Sequence, residues 1–571
     1  MFNLLPFVLL SFGAGAALAQ DSDTVTASSI DWNGFNKTVG GHLRVATPFA
    51  KPCFSSGASN AAQCSQIASN NENHLFRTDF PGAYSITQWE TCQTTGDGCL
   101  LDWHNTTNQK AFTAPEQCGQ GSVPNYYVEV HGASDVTATL SFVKKNNVPF
   151  VIKNTGHDYL GRSSAPGSLA LWTTYNAKYQ PQNCASVKPQ SAITIGAGVQ
   201  FQTAYEFAKE NGVVFLGGAD PSVGASGGWV MGGGHSGLSP SYGLGVDRVL
   251  EFKIITPDGQ LRVANKCNNA DLFWALRGGG GGTFGIVLES TFVASPNVPV
   301  QVVLGMYGNT KANSTKLIKQ LAKSAVQMGK DGWGGYITPS LASAVWLNPV
   351  LNEAQAKASA AGVVSAFAAV NGTTQFFVMP TYTDFFNTFI APNTDAVGRP
   401  QALVTRLIPD KSFTDQTLID SVTDGLVNSD FGQILVVAPY AYKDFDPSAT
   451  SINPEFRNAV WHALVSYFWN YDATPASITQ TYQKLEAQWA TVRQRTPNAA
   501  VYYNEADVYE PDWQTRFWGN NYARLLQIKN KYDPTHLLDC WRCVGWKGQS
   551  NSKYKCYAKV PGTSTSRRDE L

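Results

Sequence analysis

One histidine stands where a bond to a cofactor could form. His157 lies in the run Val151-Ile-Lys-Asn-Thr-Gly-His-Asp-Tyr-Leu-Gly-Arg162. It follows a short apolar stretch, residues 148–152, that reads as a buried strand, and then a single glycine. Downstream, glycines cluster from Gly217 through Gly237 and again from Gly278 to Gly285. Glycine lets backbone N–H groups approach an anion closely and accepts positive φ in tight turns. Several such loops in one region point to a large anionic ligand lying across the backbone, such as a dinucleotide. Gly232, Gly234 and Gly237 match G-x-G-x-x-G by letter. That motif needs a strand before it and a helix after it, and Ser239-Pro240-Ser241 follows here, so the Rossmann reading is rejected. No G-x-x-x-x-G-K-[ST] phosphate loop occurs. Taken alone, His157 reads as a hydrogen-bonded loop histidine.

The elements that would position these groups fall into distinct textures. Residues 20–120 are polar, turn-rich and dense in cysteine (Cys53, Cys64, Cys92, Cys99, Cys118), with bridges expected inside the segment. From residue 126 the pattern predicts a strand, a helix over 133–146 and the strand at 148–152. Further strands are predicted at 192–195, 249–256 and 286–293, with a helix at 202–211 between them. From 300 to 500 long amphipathic helices are predicted at 314–328, 353–370 and 477–495, alongside aromatic strands at 436–440 and 461–469. The tail carries a helix over 521–531, stopped by Asp533-Pro534. Cys540-x-x-Cys543 lacks a second pair at zinc spacing and is read as a disulfide.

Composition narrows the setting. The 571 residues are 43% hydrophobic, with 42 basic and 42 acidic side chains, and no basic run could track a phosphate backbone. Nucleic acid and charged membrane surfaces are poor partners for such a chain. Residues 4–18 are apolar and Ala17-Leu18-Ala19 precedes Gln20, which predicts a signal peptide over 1–19, although no Lys or Arg opens it. A transmembrane anchor needs about 20 apolar residues. Ten cysteines and sequons at Asn36, Asn105, Asn313 and Asn371 agree with export and glycosylation. The last residues, Arg568-Asp569-Glu570-Leu571, differ by one from the KDEL and HDEL signals, so retention in the ER lumen is the alternative to secretion.

Residues 151–162, Asp220-Pro221-Ser222-Val223-Gly224, Gly232 to Gly237, and Tyr242-Gly243-Leu244 with Asp247 resemble the FAD domain of the berberine bridge enzyme-like oxidases. These belong to the vanillyl-alcohol oxidase superfamily, and the chain is similar to its fungal secreted members. Tyr502-Tyr503-Asn504-Glu505-Ala506-Asp507, Phe517-Trp518-Gly519 and Tyr532-Asp533-Pro534 resemble the short C-terminal segment of the same family. The resemblance spans residues 40–546 in order. It implies an α+β fold: a two-part FAD-binding domain (20–120 and 121–299, completed by 501–560) plus an α+β substrate domain over 300–500 built on a large antiparallel sheet.

The resemblance also implies roles. His157 takes the place of the histidine joined to the flavin 8α-methyl, and backbone from Lys153 through Asn154, Thr155 and Gly156 to Asp158 would hold the pyrophosphate. Asp220, Val223, Gly224, Gly228, Gly233, Gly234, Ile286 and Asn504 complete the implied FAD contacts. Many relatives make a second flavin bond from a cysteine; here that slot is Asp220, so one covalent bond is expected. Val223 resembles the oxidase version of its position and implies O2 as acceptor. An alcohol must lose a hydride to flavin N5 and a proton to a base. Tyr440, Tyr442, His462 and Tyr467, on the second domain's sheet, are the candidate catalytic groups, each of which could equally be core. No metal is expected. The reading is a secreted, monomeric FAD oxidase acting on an alcohol, sugar or phenol with O2 and releasing H2O2. Its rivals are a biosynthetic oxidase that cyclises or desaturates a secondary metabolite, and a binding protein that keeps the flavin fold without turnover.

Overall fold

Strand Ala459–Phe468, AVWHALVSYF, is buried along nearly its whole length. Its branched and aromatic side chains suit a pleated surface covered on both faces. It pairs antiparallel with Gln401–Pro409 and Phe431–Val436 in a seven-stranded sheet. From one edge the order is Thr373–Met379, Val300–Met306, Ser343–Asn348, Gly334–Thr338, Phe431–Val436, Ala459–Phe468 and Gln401–Pro409. Helices Lys311–Lys330, Gln416–Asn428 and Pro475–Arg495 pack against this sheet. Each begins where a side-chain oxygen accepts an otherwise unpaired helix N–H, from Thr310, Asp415 and Thr474 respectively. The opposite face looks onto the glycine-rich loops.

The computed structural model describes residues 30–55, 59–164, 168–169, 174–182, 184, 188–394 and 397–561. The expected signal peptide at 1–19 and the terminal tetrapeptide 568–571 lie outside the described residues. The first half carries an antiparallel five-stranded sheet ordered Thr174–Tyr179, Gln190–Gly196, Ile286–Val293, Val249–Ile255 and Leu261–Asn265. A three-stranded sheet of Leu43–Val45, Tyr126–Val130 and Ser168–Leu169 lies beside it in the chain. Among the described residues, no helix is long and apolar enough to cross a membrane. The arrangement is the expected α+β one, with the large antiparallel sheet in place.

Three predicted elements differ. Residues 148–152 form no strand; Pro149 cannot donate to a ladder, and Phe150, Val151 and Ile152 line a cavity instead. The strand expected at 436–440 ends at Val436, ahead of Ala438-Pro439, and runs from Phe431. The helix expected over 353–370 is broken at Ala360 into Glu353–Ser359 and Ala361–Ala368. At the break the Ser359 hydroxyl is engaged by Asp331 and by the Trp333 indole N–H.

The tail binds the two halves together. Trp518 Nε1 donates to Gly278 O at 2.9 Å, and buried Lys529 donates to Thr283 O, Asp533 and Leu538 O. Cys53–Cys64 and Cys99–Cys118 close inside the N-terminal segment as expected, but Cys92 reaches Cys556 in the tail. Cys184–Cys267 and Cys540–Cys543 are also paired. Arg406, on strand Gln401–Pro409, meets Glu510 of the tail at 3.1 Å, both side chains being fully buried. Glu510 also accepts from Arg493 at 3.1 Å. A buried cation left without its counter-charge destabilises by about 3–5 kcal/mol. Glu510→Gln is therefore expected to lower the urea midpoint by that equivalent, checked by tryptophan fluorescence; an unchanged midpoint would remove this pair as the clamp between tail and sheet.

Candidate functional site

A cavity of about 630 Å³ lies between the glycine-rich loops and the large sheet. One wall is the 150–163 run together with Gly218 to Gly228. Among the described residues, no backbone N–H from Asn154 to Asp158 donates to a protein acceptor, and all five residues line the cavity. Consecutive unpaired amides form a nest for an anion. Gly156 holds φ +87°, and a Cβ there would press on Lys153 Cε at 3.0 Å and Ala83 O at 3.2 Å. A Cβ on Gly228 would stand in open cavity space.

Side chains brace this wall. The Asn154 amide donates to Ala197 O and, at 3.2 Å, to Ser226 O, leaving Asn154 Oδ1 buried without a protein partner. Thr155 Oγ1 accepts from Gly224 N at 3.3 Å. Lys153 Nζ donates to Pro81 O at 2.8 Å and stands 4.6 Å from the Tyr84 ring. Burial pulls its pKa down to about 7, against the pull of Glu90. Asp158 is tied to Arg162, whose guanidinium stacks 4.1 Å from the Tyr503 ring.

His157 ends a hydrogen-bonded chain. Its Nε2 lies 2.6 Å from Ser222 Oγ. Ser222 donates both its N–H (2.8 Å) and its hydroxyl (2.9 Å) to Asp220 Oδ1, and Asp220 Oδ2 meets His74 Nδ1 at 2.5 Å. Thr394 Oγ1 closes the far end on His74 Nε2 at 3.2 Å. Burial opposes ionisation of Asp220, yet the neighbouring His157 and His74 and the Ser222 N–H hold its pKa down to about 2. Burial pushes the His157 imidazole below its ordinary value, outweighing Asp220 beside it. Asp220 is thus an acceptor only. The Ser222 hydroxyl, spent on Asp220, must accept from Nε2–H, which leaves Nδ1 as the ring nitrogen with a free lone pair.

At the other end, Asn504 donates to Trp229 O (3.0 Å) and Gly228 O (3.2 Å). Next to it Glu505 Oε1 meets His235 Nε2 at 2.7 Å, and Glu505 Oε2 lies 3.3 Å from His462 Nδ1. Burial lowers the His462 pKa to about 4, which keeps the ring neutral. Burial also opposes ionisation of Glu505, and His235 and His462 more than offset it, holding the carboxylate below its ordinary range.

The chain matches the family "FAD binding domain" over residues 124–265 and the family "Berberine and berberine like" over 501–539. It is 37% identical to an FAD-linked oxidoreductase, ffsJ, of Aspergillus flavipes, across 94% of this chain and 95% of that protein. It is 29% identical to a bifunctional decalin synthase, calF, of Penicillium decumbens, covering 95% and 96%. Among solved structures it is similar to the VAO-type flavoprotein MtVAO615 from Myceliophthora thermophila C1, with TM-score 0.80, 29% identity and coverage of 93% and 97%. The chain belongs to the FAD-linked oxidoreductases of the vanillyl-alcohol oxidase superfamily, berberine bridge enzyme-like. It is an FAD-dependent oxidoreductase.

For this oxidoreductase the amide nest, the open space at Gly228 and the unpaired Asn154 Oδ1 fit a dinucleotide. Lys153, Asn154, Thr155, Gly156, His157, Asp158, Asp220, Val223, Gly224, Gly228, Ile286 and Asn504 all line the cavity. Gly233 and Gly234 do not; at φ +131° and +74° they turn the chain so that His235 faces the cavity. The Rossmann letters are preceded by helix Gly228–Met231 rather than a strand, and a one-turn helix, Ser239–Tyr242, follows despite its proline.

Of the four candidate bases, only His462 lies on the cavity side of the sheet, one layer behind the wall and 3.3 Å from Glu505. Side chains alternate faces along a strand. Leu464, Ser466 and Phe468 line the cavity, and His462 shares their parity. Tyr467 has the opposite parity, and its hydroxyl donates to Asn428 O on the helical side. Tyr440 donates to Asp410 at 2.8 Å and packs against Gly329, and Tyr442 packs against Gly243. The expectation that these three tyrosines face the flavin is not met, because each lies off the cavity wall. His74, Ser222, His235 and Glu505 were not picked from sequence. Three lay within quoted motifs: Ser222 between Asp220 and Gly224, His235 between Gly232 and Gly237, and Glu505 beside Asn504.

Asp220 titrates at about 2 rather than 3.8, so ionised Asp220 contributes about 2 kcal/mol above 3.8. That contribution is lost as the pH falls toward 2. Urea titrations across this range should show wild-type stability falling and Asp220→Asn giving a flatter curve; parallel curves would contradict the network.

Proposed function

We propose that the protein is an oxidase holding FAD through one covalent bond, on His157, and that it dehydrogenates a largely apolar substrate at a hydroxyl-bearing carbon. The observation that carries this reading is the Asp220–Ser222–His157 chain, which presents Nδ1 with its lone pair free beside the cavity. Asp220 sits where many relatives carry a second flavin-bonding cysteine, and a carboxylate forms no thioether. When bound, FAD accepts the hydride and passes the electrons to O2, giving H2O2. Val223, half-buried on the cavity wall, is small enough to leave room for O2 there.

Four carboxylates line the cavity. Asp158 is engaged by Arg162, Asp220 by His74, and Asp539 by the Tyr554 hydroxyl and the Lys547 N–H. Glu505 keeps Oε2 without a hydrogen-bond partner. A substrate hydroxyl is therefore bound, and its proton leaves, at the Glu505–His235 corner. Export is supported by the five disulfides among the described residues and by the exposed sequon residues Asn105 and Asn371.

The sheet wall favours one refinement, toward a biosynthetic oxidase. Its cavity face presents Leu304, Leu403, Leu435 and Leu464 with Tyr336, Phe431 and Phe468, and no tryptophan; Trp461, of opposite parity, packs on Phe413 instead. The leucines shed water from an aliphatic skeleton, and the three rings suit an unsaturated or aromatic one. The similarity to a decalin synthase agrees with this. A peroxide-coupled screen is expected to give higher kcat/KM for apolar alcohols and enols than for sugars; preference for oligosaccharides would sink the refinement. Val223→Leu is expected to slow reoxidation of the reduced enzyme by air about tenfold or more, with flavin reduction unchanged. Stopped-flow absorbance separates the two steps, and unaltered reoxidation would refute O2 access at Val223.

A further inference from the structure

His462 presents an unsatisfied problem. Its side chain is fully buried, and neither ring nitrogen has a hydrogen-bond partner. Glu505 Oε2 and His235 Nδ1, both buried atoms, also lack partners. Buried polar groups without partners are rare because each forfeits its hydration. The three residues that carry these atoms meet at one point. One ligand atom from each of His235, Glu505 and His462 lies within 4.8 Å of the others. Around a tetrahedral zinc ion, with bonds of about 2.0–2.1 Å, neighbouring ligand atoms stand about 3.3 Å apart. The two histidine–Glu505 pairs stand at 2.7 Å and 3.3 Å and no pair exceeds 4.8 Å, so an ion is admitted once His235 and Glu505 part by roughly half an ångström and the two imidazoles draw in toward about 3.3 Å.

The three ligands come from distant parts of the chain: a glycine-rich loop, the central sheet and the tail. Each is braced. Thr405 Oγ1 donates to Glu505 O at 2.8 Å, Trp229 Nε1 donates to His235 O at 3.2 Å, and the Tyr502 ring stands 4.9 Å from the His235 ring and 5.9 Å, edge-on, from the His462 ring. His235 and Glu505 line the cavity while His462 lies behind them.

We infer that His235, Glu505 and His462 bind one divalent cation of zinc type, with a coordination position open to the cavity. Two imidazoles and one carboxylate with an open position is the ligand set of a catalytic rather than a structural zinc site. The single carboxylate leaves the ion with net positive charge. The ligand it takes is an oxygen donor of the substrate: an alkoxide, phenolate or enolate. The ion fixes that oxygen and favours loss of its proton to water in the cavity, while the adjacent carbon faces the flavin that takes the hydride. This rests on the reading of the cavity as the substrate site of an FAD oxidase.

The test is metal analysis of the full-length holoenzyme, purified without chelator and again after equilibrium dialysis against Zn²⁺. One equivalent per chain is expected in wild type after dialysis, and a small fraction of that in His462→Ala and Glu505→Gln. Wild type stripped with dipicolinate should regain its metal and its rate of anaerobic flavin reduction when Zn²⁺ is returned. Wild type that takes up no Zn²⁺ in dialysis, or variants that take up as much as wild type, would overturn the site. Flavin that leaves the protein on acid precipitation would instead overturn the parent reading, whatever the metal content. The stripping arm uses unmutated protein, so a variant that fails to fold leaves the inference testable.

Discussion

The reactivity of the His157 ring depends on where one proton sits. Ionised Asp220 can only accept, so the Ser222 hydroxyl turns toward it, and the oxygen of that hydroxyl then accepts from His157 Nε2–H. Three hydrogen-bonding groups in series thus select a tautomer, and the tautomer decides which ring nitrogen keeps a free lone pair beside the cavity. The same Asp220 holds His74 through its second oxygen, so both lone-pair sets of the carboxylate are engaged. Asp220 thus orients both neighbouring imidazoles, His74 directly and His157 through Ser222.

The rest of the architecture holds two surfaces at a fixed separation around that ring. The glycine-rich loops bring bare amides to one side, and the sheet brings leucines to the other. Neither half makes the cavity by itself. The tail returns across both, with Trp518 on Gly278, Glu510 on Arg406, and Cys556 bonded to Cys92. It also delivers Asn504 and Glu505 to the cavity, one braced on the glycine loop, the other between His235 and His462.

Much of this was legible in sequence where function constrains short stretches of chain. The strands and helices with strong periodicity emerged from local pattern, whereas His157 and Asp220 were marked only by the family resemblance, since taken alone His157 reads as a loop histidine. The candidate bases did not, for a geometric reason. His462 and Tyr467 are separated by an odd number of residues on one strand, so they cannot face the same side, and alternation alone could have removed one of them. Tyr440 and Tyr442 follow Pro439, beyond the end of the ladder, where no sheet face constrains them. His74 stands 146 residues from Asp220, and no local signal predicts that meeting. Glu505 was the nearest miss, one residue past Asn504 in a motif already singled out.

The most direct measurement is peptide mapping of the denatured, acid-precipitated protein by flavin fluorescence and mass spectrometry. The account predicts that the colour stays with the protein and that a single peptide carries FAD, with the modification on His157 and no second link to the chain. Flavin appearing free in the acid supernatant, or attached to any other residue, would contradict it.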